Sequence, residues 1–190
     1  MASQNTTVRS LHDLGIATWF GGALMGAVGL NGASGDVLDP RDRTRVASAG
    51  WARWSPVASA AIGAHLLGGL GLLVANRGRV AVEPGARSNT LIKTGLTLAA
   101  LGTTAYSGLL GRRMAAAGSV PAESATVPAA TTPGDVATIQ QRQRVLQWMT
   151  PALTGIVIAL GAQQGEQQRP GSRMSRGAEA LRSRFRHAAA

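Results

Sequence analysis

Four stretches of this chain contain no charged residue, and they constrain the fold more than any other feature. They are Leu14–Gly35, Trp54–Asn76, Thr94–Gly111 and Val145–Gly165, with 22, 23, 18 and 21 residues. All 19 Lys and Arg residues and all nine Asp and Glu residues lie outside them. A helix rises about 1.5 Å per residue, so each stretch spans roughly 27–35 Å, close to the hydrocarbon thickness of a bilayer. The runs predict an all-α integral membrane bundle of four transmembrane helices.

Glycine usage favours a membrane bundle over a soluble one. The mean hydropathy of +0.07 is low because apolar runs rich in Gly and Ala alternate with strongly polar connections. Many of the 25 glycines lie inside the runs. Glycine destabilises a soluble helix there, whereas in a membrane helix it allows close packing. A soluble bundle would also carry a charged stripe on each helix, which none of the runs has.

The runs divide the chain into segments. Residues 1–13 form the N-terminus, and residues 14–165 form the transmembrane domain, with spans at about 14–35, 54–76, 94–111 and 145–165. Residues 112–144 are predicted to be a flexible outer loop and residues 166–190 a basic tail, either disordered or a short helix on an anionic membrane surface. Pro56 and Pro151 are expected in the first turns of the second and fourth spans.

Charge counting gives the orientation. Four spans place both termini on one side, which holds eleven Lys and Arg residues against eight on the other. Positive-inside bias therefore favours cytoplasmic termini in the cytoplasmic membrane of a bacterium. A cleaved signal peptide over residues 1–35, with a site near Asn31-Gly32-Ala33-Ser34, is the competing interpretation, but the first run is longer than a signal-peptide core.

Small residues recur at helical spacing and predict close helix packing. The predicted packing residues are Gly22, Gly26, Ala60, Ala64, Gly68, Gly95, Ala99, Gly155 and Ala159. Such stripes serve either the interior of one bundle or a specific surface for another membrane protein or a second copy. Every run carries one, which favours internal packing.

His65 is the candidate for chemistry because it lies at the midpoint of the second run, where ionisable groups are rare. The alternatives are a structural hydrogen bond and a haem or copper site. His12 lies roughly ten positions nearer one surface, about 15 Å at helical rise. A His12–His65 pair on one haem is therefore not expected, and Met25 lies nearer the required depth. The three histidines show no clustered metal-ligand spacing, so no metal site is assigned.

The tryptophans and the charge balance point to lipid. Trp51, Trp54 and Trp148 fall where two spans enter from the same side, and indole rings at that position typically anchor the head-group level. The net charge of +10 is interpreted as loops held near anionic lipid, with no nucleic-acid partner. The chain has no phosphate-binding glycine loop, no HExxH and no G-x-S-x-G, and no catalytic residue is assigned. Cysteine is absent, which excludes disulfides and thiolate sites.

The segment Leu11–Gly22 contains the pattern H-x-x-G-x-x-x-W-x-G-G, which resembles the first helix of copper-resistance D-type membrane proteins. That resemblance implies a metal or haem role for His12. Over nearly its whole length, including Ala49–Trp54, Gln147-Trp148 and Gly165–Pro170, the chain is similar to uncharacterised actinobacterial four-span membrane proteins. That similarity implies the fold and no activity.

Three functions are consistent with these observations. The leading hypothesis is a non-enzymatic structural or accessory component of a membrane assembly, without a cofactor. The second is a small haem- or copper-handling protein that uses His65. The third is a minor transporter or permeation subunit lined by Thr103, Thr104 and Ser107 of the third span.

Overall fold

The computed structural model describes residues 2–167, with side chains for residues 6–163, and is helical over 84% of its length. Helix α1 (Ala2–Met25) continues through a π-helical turn (Gly26–Leu30), the short α2 (Asn31–Ala33) and a 3-10 turn (Ser34–Asp36). The other helices are α3 (Arg43–Ala75), α4 (Arg77–Val82), α5 (Pro84–Ala116) and α6 (Gly134–Gln167). Strands β1 (Ala122–Ser124) and β2 (Val127–Pro128) pair antiparallel between α5 and α6. The predicted tail helix lies outside the described residues.

The long helices pack as two antiparallel pairs, α1 with α3 and α5 with α6, which meet where α1 contacts α6. Gly68 of α3 lies beside His12 near the start of α1, and Gly26 near the end of α1 lies beside Trp51. The chain therefore has a hairpin end, with the β-hairpin and the connection before α3, and an α4 end. Ala2 and Gln167 both lie toward the α4 end.

Among the described residues, three helical segments are long and apolar enough to cross a membrane: Thr6–Asp36, Arg43–Ala75 and Gly134–Gln163. Helix α5 is as long as α3, at 33 residues, but is not among them. Its uncharged run contains five Thr and Ser residues and several glycines, which lower its mean hydropathy. An all-α architecture with three membrane-length apolar helices is confirmed.

The helices extend well beyond the uncharged runs. Helix α3 begins at Arg43 and α6 at Gly134, eleven residues before the respective runs. Pro56 and Pro151 consequently lie inside helices, so the prediction that they occupy first turns is wrong. The extensions are rich in Arg, Ala and Gln, which propagate a helix as well as apolar residues do. Charge marks where a helix leaves lipid, and it does not mark where the helix ends.

The connection between α5 and α6 is shorter than the predicted loop 112–144 and is folded. Helix α5 ends near Gly118, whose φ of +71° lies in the left-handed region that glycine favours. Beneath the hairpin, Val120 packs with Met114 and Val136 in a small apolar core. The fully buried Gln140 donates from Nε2 to the carbonyl of Ser124 at 2.9 Å. These contacts fix the hairpin on the ends of both helices.

Candidate functional site

Two histidines from α1 and α3 face each other in a reciprocal arrangement. Nδ1 of His12 lies 3.0 Å from the carbonyl oxygen of His65, and Nδ1 of His65 lies 3.1 Å from the carbonyl oxygen of His12. The rings stack with centroids 4.1 Å apart and an interplanar angle of 21°. His65 is 2% exposed and His12 is half-buried. We call this unit the histidine clamp.

Two glycines allow the helices to approach closely enough for the clamp. A Cβ on Gly15 would lie 2.5 Å from the backbone N of His65 and 2.6 Å from the carbonyl oxygen of Ala61. On the other helix, a Cβ on Gly68 would lie 2.5 Å from the backbone N of His12. Each histidine is therefore followed three residues later by the glycine that receives the opposite helix. The motif H-x-x-G occurs once in α1 and once in α3, and the sequence prediction missed the second copy.

Trp19 links the clamp to α5. Its ring lies edge-on to His65, with centroids 6.3 Å apart, and its Nε1 donates to the hydroxyl of Thr104 at 3.2 Å. Trp19 is 2% exposed, so its indole N–H is satisfied inside the bundle. One aromatic side chain of α1 thus contacts both α3 and α5.

The hydrogen bonds determine the tautomer of both rings. A carbonyl oxygen can only accept, so Nδ1 carries the proton in each histidine. In a neutral ring this leaves Nε2 unprotonated and able to accept a hydrogen bond or bind a metal ion. A carbonyl acceptor on the far nitrogen is also the usual way in which a metal-binding histidine is oriented.

The expectation that His12 and His65 lie at different depths is wrong. That estimate used the uncharged runs as a ruler, but α1 begins before its run and pairs with α3 in a register that brings His12 beside Gly68. Met25 lies 13 residues beyond His12 on α1, about 20 Å at helical rise. Its side chain is exposed. His65 therefore pairs with His12, and Met25 is too distant to share an iron with it.

The clamp does not fit an axial haem site. Two axial histidines must point their Nε2 atoms at one iron from opposite faces of a porphyrin. In the clamp the two rings stack face to face at 4.1 Å, which leaves no room for a macrocycle between them. A single metal ion on an Nε2 atom is compatible with the hydrogen bonding. Within the described residues, no three His, Cys, Asp or Glu side chains come together.

The predicted small residues divide between contact and open faces. Positions in close contact are Gly22 against Trp54, Gly26 against Trp51, Gly68 against His12 and Gly155 against Phe20. Ala64 is half-buried, whereas Ala60, Gly95, Ala99 and Ala159 are exposed and do not lie on an internal packing face. On α3 the buried face is Ala61, His65 and Gly68, so it includes the predicted Gly68 but has Ala61 and His65 in place of the predicted Ala60 and Ala64.

The three predicted anchor tryptophans also divide. The rings of Trp51 and Trp54 lie over Gly26 and Gly22 of α1 and are half-buried. Trp148 is 49% exposed on α6, as a head-group anchor would be. Two of the indoles therefore form part of the α1–α3 contact.

A polar network at the hairpin end was also missed. Asn31 is buried, accepts from Nε1 of Trp51 at 2.8 Å and donates from Nδ2 to Oε1 of Gln147 at 2.9 Å. The π-helical turn precedes Asn31 directly, and its extra residue per turn rotates the following side chains relative to α1. Ser34 then accepts from the backbone N of Ala125 at 2.7 Å. The sequence signal for this network was Asn31, a polar residue within an uncharged apolar run.

The Thr and Ser residues proposed to line a path are engaged by neighbours. Thr103 is buried and donates to the carbonyl of Ala99 at 2.8 Å, and Thr104 accepts from Trp19. The backbone oxygen of Ser107 accepts from Gln143 of α6 at 2.8 Å. This face packs between helices.

No protein family, curated protein or solved structure matches this chain. The residues and contacts described above are therefore the basis for assigning a role.

Proposed function

We propose that the protein is a non-enzymatic structural or accessory component of a membrane assembly. The observation that carries this proposal is the histidine clamp. The ionisable side chain deepest in α3 is bonded to the backbone of α1 and stacked on a second histidine, so its polar atoms serve helix association. The asparagine in α2 likewise joins Trp51 to Gln147. Buried polar groups that hold helices together are typical of a scaffold.

The proposal includes α5 as a fourth span. Helix α5 packs along α6, and Trp19 of α1 bonds to Thr104 near the middle of its uncharged run. A helix that lies beside membrane-spanning helices at mid-depth must itself have its backbone groups satisfied internally, which a continuous helix achieves. Its lower hydropathy is compensated where Thr and Ser face neighbours and not lipid.

Cytoplasmic termini are the favoured orientation. Five basic residues are assigned to the α4 end, namely Arg9, Arg77, Arg79, Arg87 and Lys93. The six tail arginines raise the count there to eleven, against eight at the hairpin end. Positive-inside bias then places the α4 end in the cytoplasm. The tail arginines decide this count.

Reporter fusions at the two termini test the topology. We expect green fluorescent protein to fluoresce at both termini and alkaline phosphatase to be inactive at both, because four spans return the chain to the cytoplasm. A phosphatase fusion within the β-hairpin should be active. If the two termini report opposite sides, only three helices span and α5 is not one of them.

Metal handling by the clamp is the second candidate, because both Nδ1 atoms are bonded to carbonyl oxygens and Nε2 is the remaining nitrogen. Purification in detergent, followed by metal analysis and an absorbance spectrum, separates the two functions. We expect metal-free, colourless protein. Stoichiometric copper that is lost in His65→Ala would instead establish metal handling, and a Soret band would overturn the packing of the clamp. Ser59→Ala, an exposed change on the same helix, is the control.

A further inference from the structure

A shallow groove of about 310 Å³ lies between α4 and the first turns of α5. Its apolar lining includes Val82, Leu91 and Ile92, which are 81%, 63% and 51% exposed. Arg87 and Ser88 line the same groove one to two helical turns nearer the start of α5. Among the groove residues of α5, the charged Arg87 thus comes first, and the apolar Leu91 and Ile92 lie nearer the uncharged run.

The charges around this groove favour an anionic occupant. Five basic side chains (Arg9, Arg77, Arg79, Arg87 and Lys93) occur at the α4 end against two acidic ones, Asp13 and Glu83, among residues 6–163. Glu83 lines the groove, but Nε of Arg79 lies 3.6 Å from its Oε2, so its charge is compensated. Within the same residues Arg87 forms no salt bridge. Burial is the largest cause that lowers the pKa of Lys93. The nearby positive charge of Arg9 lowers it further, which is consistent with a positive potential here.

The exposed face of α5 continues beyond the groove without obstruction. Gly95 and Ala99 follow Leu91 and Ile92 on that face, and both are exposed. Among the described residues, no heavy atom beyond the local helix lies within 4 Å of a Cβ placed on Gly95 or Gly102. These small residues form an exposed strip on α5 that extends about 10 Å from Gly95 to Gly102.

We propose that the groove binds one anionic phospholipid from the leaflet at the α4 end. Arg87 faces the phosphate, and the acyl chain runs past Leu91 and Ile92 along the strip of Gly95 and Ala99. The order of charged and apolar groups along α5 matches the order of head group and chain in a lipid. This inference rests on the proposed function, because it requires α5 to enter the membrane. A basic side chain near the surface contributes about 1 kcal/mol toward anionic lipid.

Native mass spectrometry of the full chain in detergent tests the site, with dioleoyl phosphatidylglycerol and dioleoyl phosphatidylcholine as competing probes. We expect the first phosphatidylglycerol adduct to form in preference to phosphatidylcholine. Arg87→Gln should weaken that adduct about fivefold, the factor that corresponds to about 1 kcal/mol. Arg112→Gln, an exposed arginine at the other end of the same helix, should leave it unchanged. Ile92→Trp should weaken adducts of both lipids by filling the apolar part.

Two results would overturn the proposal. One is equal binding of the two lipids by the wild-type chain, or a preference that Arg87→Gln does not reduce. The other is a dimer that disappears in Ile92→Trp while lipid adducts persist, which would assign the groove to a second copy of the chain. The topology is determined separately by the terminal reporters, so a failure of the four-span proposal is distinguishable from a failure of lipid binding. Arg87 is exposed, so its replacement leaves the packed interior intact.

Discussion

Gly15→Ala is expected to lower the free energy of unfolding by about 2–3 kcal/mol, the upper part of the range for overpacking. The added methyl group would lie 2.5 Å from the backbone N of His65 and 2.6 Å from the carbonyl oxygen of Ala61. Backbone atoms cannot rotate away as a flexible side chain does, so α1 must move off α3. That movement stretches both hydrogen bonds of the histidine clamp and the stacking of its rings. Reversible unfolding of the purified protein in mixed detergent micelles measures the change.

Gly21→Ala, on the same helix, is the matched control for this prediction. In the part of the chain that the structure describes, no heavy atom beyond the local helix lies within 4 Å of its added Cβ, and alanine favours helix over glycine by about 1 kcal/mol. We therefore expect Gly21→Ala to be neutral or stabilising. Gly68→Ala and Gly63→Ala form the equivalent pair on α3, since a Cβ on Gly68 would lie 2.5 Å from the backbone N of His12, whereas one on Gly63 would meet no described heavy atom beyond the local helix within 4 Å. If Gly15→Ala and Gly21→Ala have the same free energy of unfolding, the close approach of α1 and α3 is contradicted.

The sequence predicted which parts of the chain are apolar helix but not where the helices end. Absence of charge identifies a lipid-compatible segment, which is why three of the four runs fall on membrane-length apolar helices. The polar ends of α3 and α6 were not predicted, because arginine, glutamine and alanine are good helix formers in water and extend a helix beyond the lipid. The ends near Arg43 and Gly134 depend on local contacts, such as the bond from Nε of Arg43 to the carbonyl of Val37 at 2.9 Å.

The sequence contains a signal for the histidine clamp that does not depend on the depth of each residue in the membrane. Depth within separate runs placed His12 and His65 apart, because each run was centred independently in the membrane. The repeated H-x-x-G at His12–Gly15 and His65–Gly68 carries the pairing directly. In an antiparallel pair, each glycine then lies against the backbone at the opposite histidine, as the two close approaches show. The register between two helices follows from such complementarity, so it can be predicted only when the two uncharged runs are compared with each other.

The orientation of each helix about its axis was the least predictable feature. Residues 60 and 61 of α3 are both alanine and differ by about 100° around the helix. Only Ala61 is buried, because Gly15 and His65 fix which side of α3 faces α1. On α5, the glycine strip faces outward and Ala100, Thr103 and Leu110 face inward. A small residue can pack on any face of a helix, so its size does not identify which face contacts a neighbouring helix.

His65→Ala is expected to lower the free energy of unfolding by about 2–3 kcal/mol, comparable with other buried large-to-small changes. The ring is 2% exposed, so its removal leaves a cavity between α1 and α3 and removes the bond from Nδ1 to the carbonyl of His12. His12→Ala should cost less, because His12 is half-buried. In a double-mutant cycle, we expect a coupling energy of about 1 kcal/mol from the stacking of the two rings, within the range for aromatic pairs. His65→Phe retains a ring but no donor, and so separates stacking from hydrogen bonding.

The cycle also distinguishes a scaffold from a metal site when it is run in the presence of a chelator. A clamp that serves helix association has its coupling energy in metal-free protein, because the two rings stack directly on each other. A site that serves metal binding should show little coupling until copper is added, since the ion would then connect the two side chains. Ser59→Ala paired with His12→Ala provides the reference cycle, with coupling expected near zero because Ser59 is exposed. A coupling energy of zero between His12 and His65 in metal-free protein would contradict the ring stacking of the clamp.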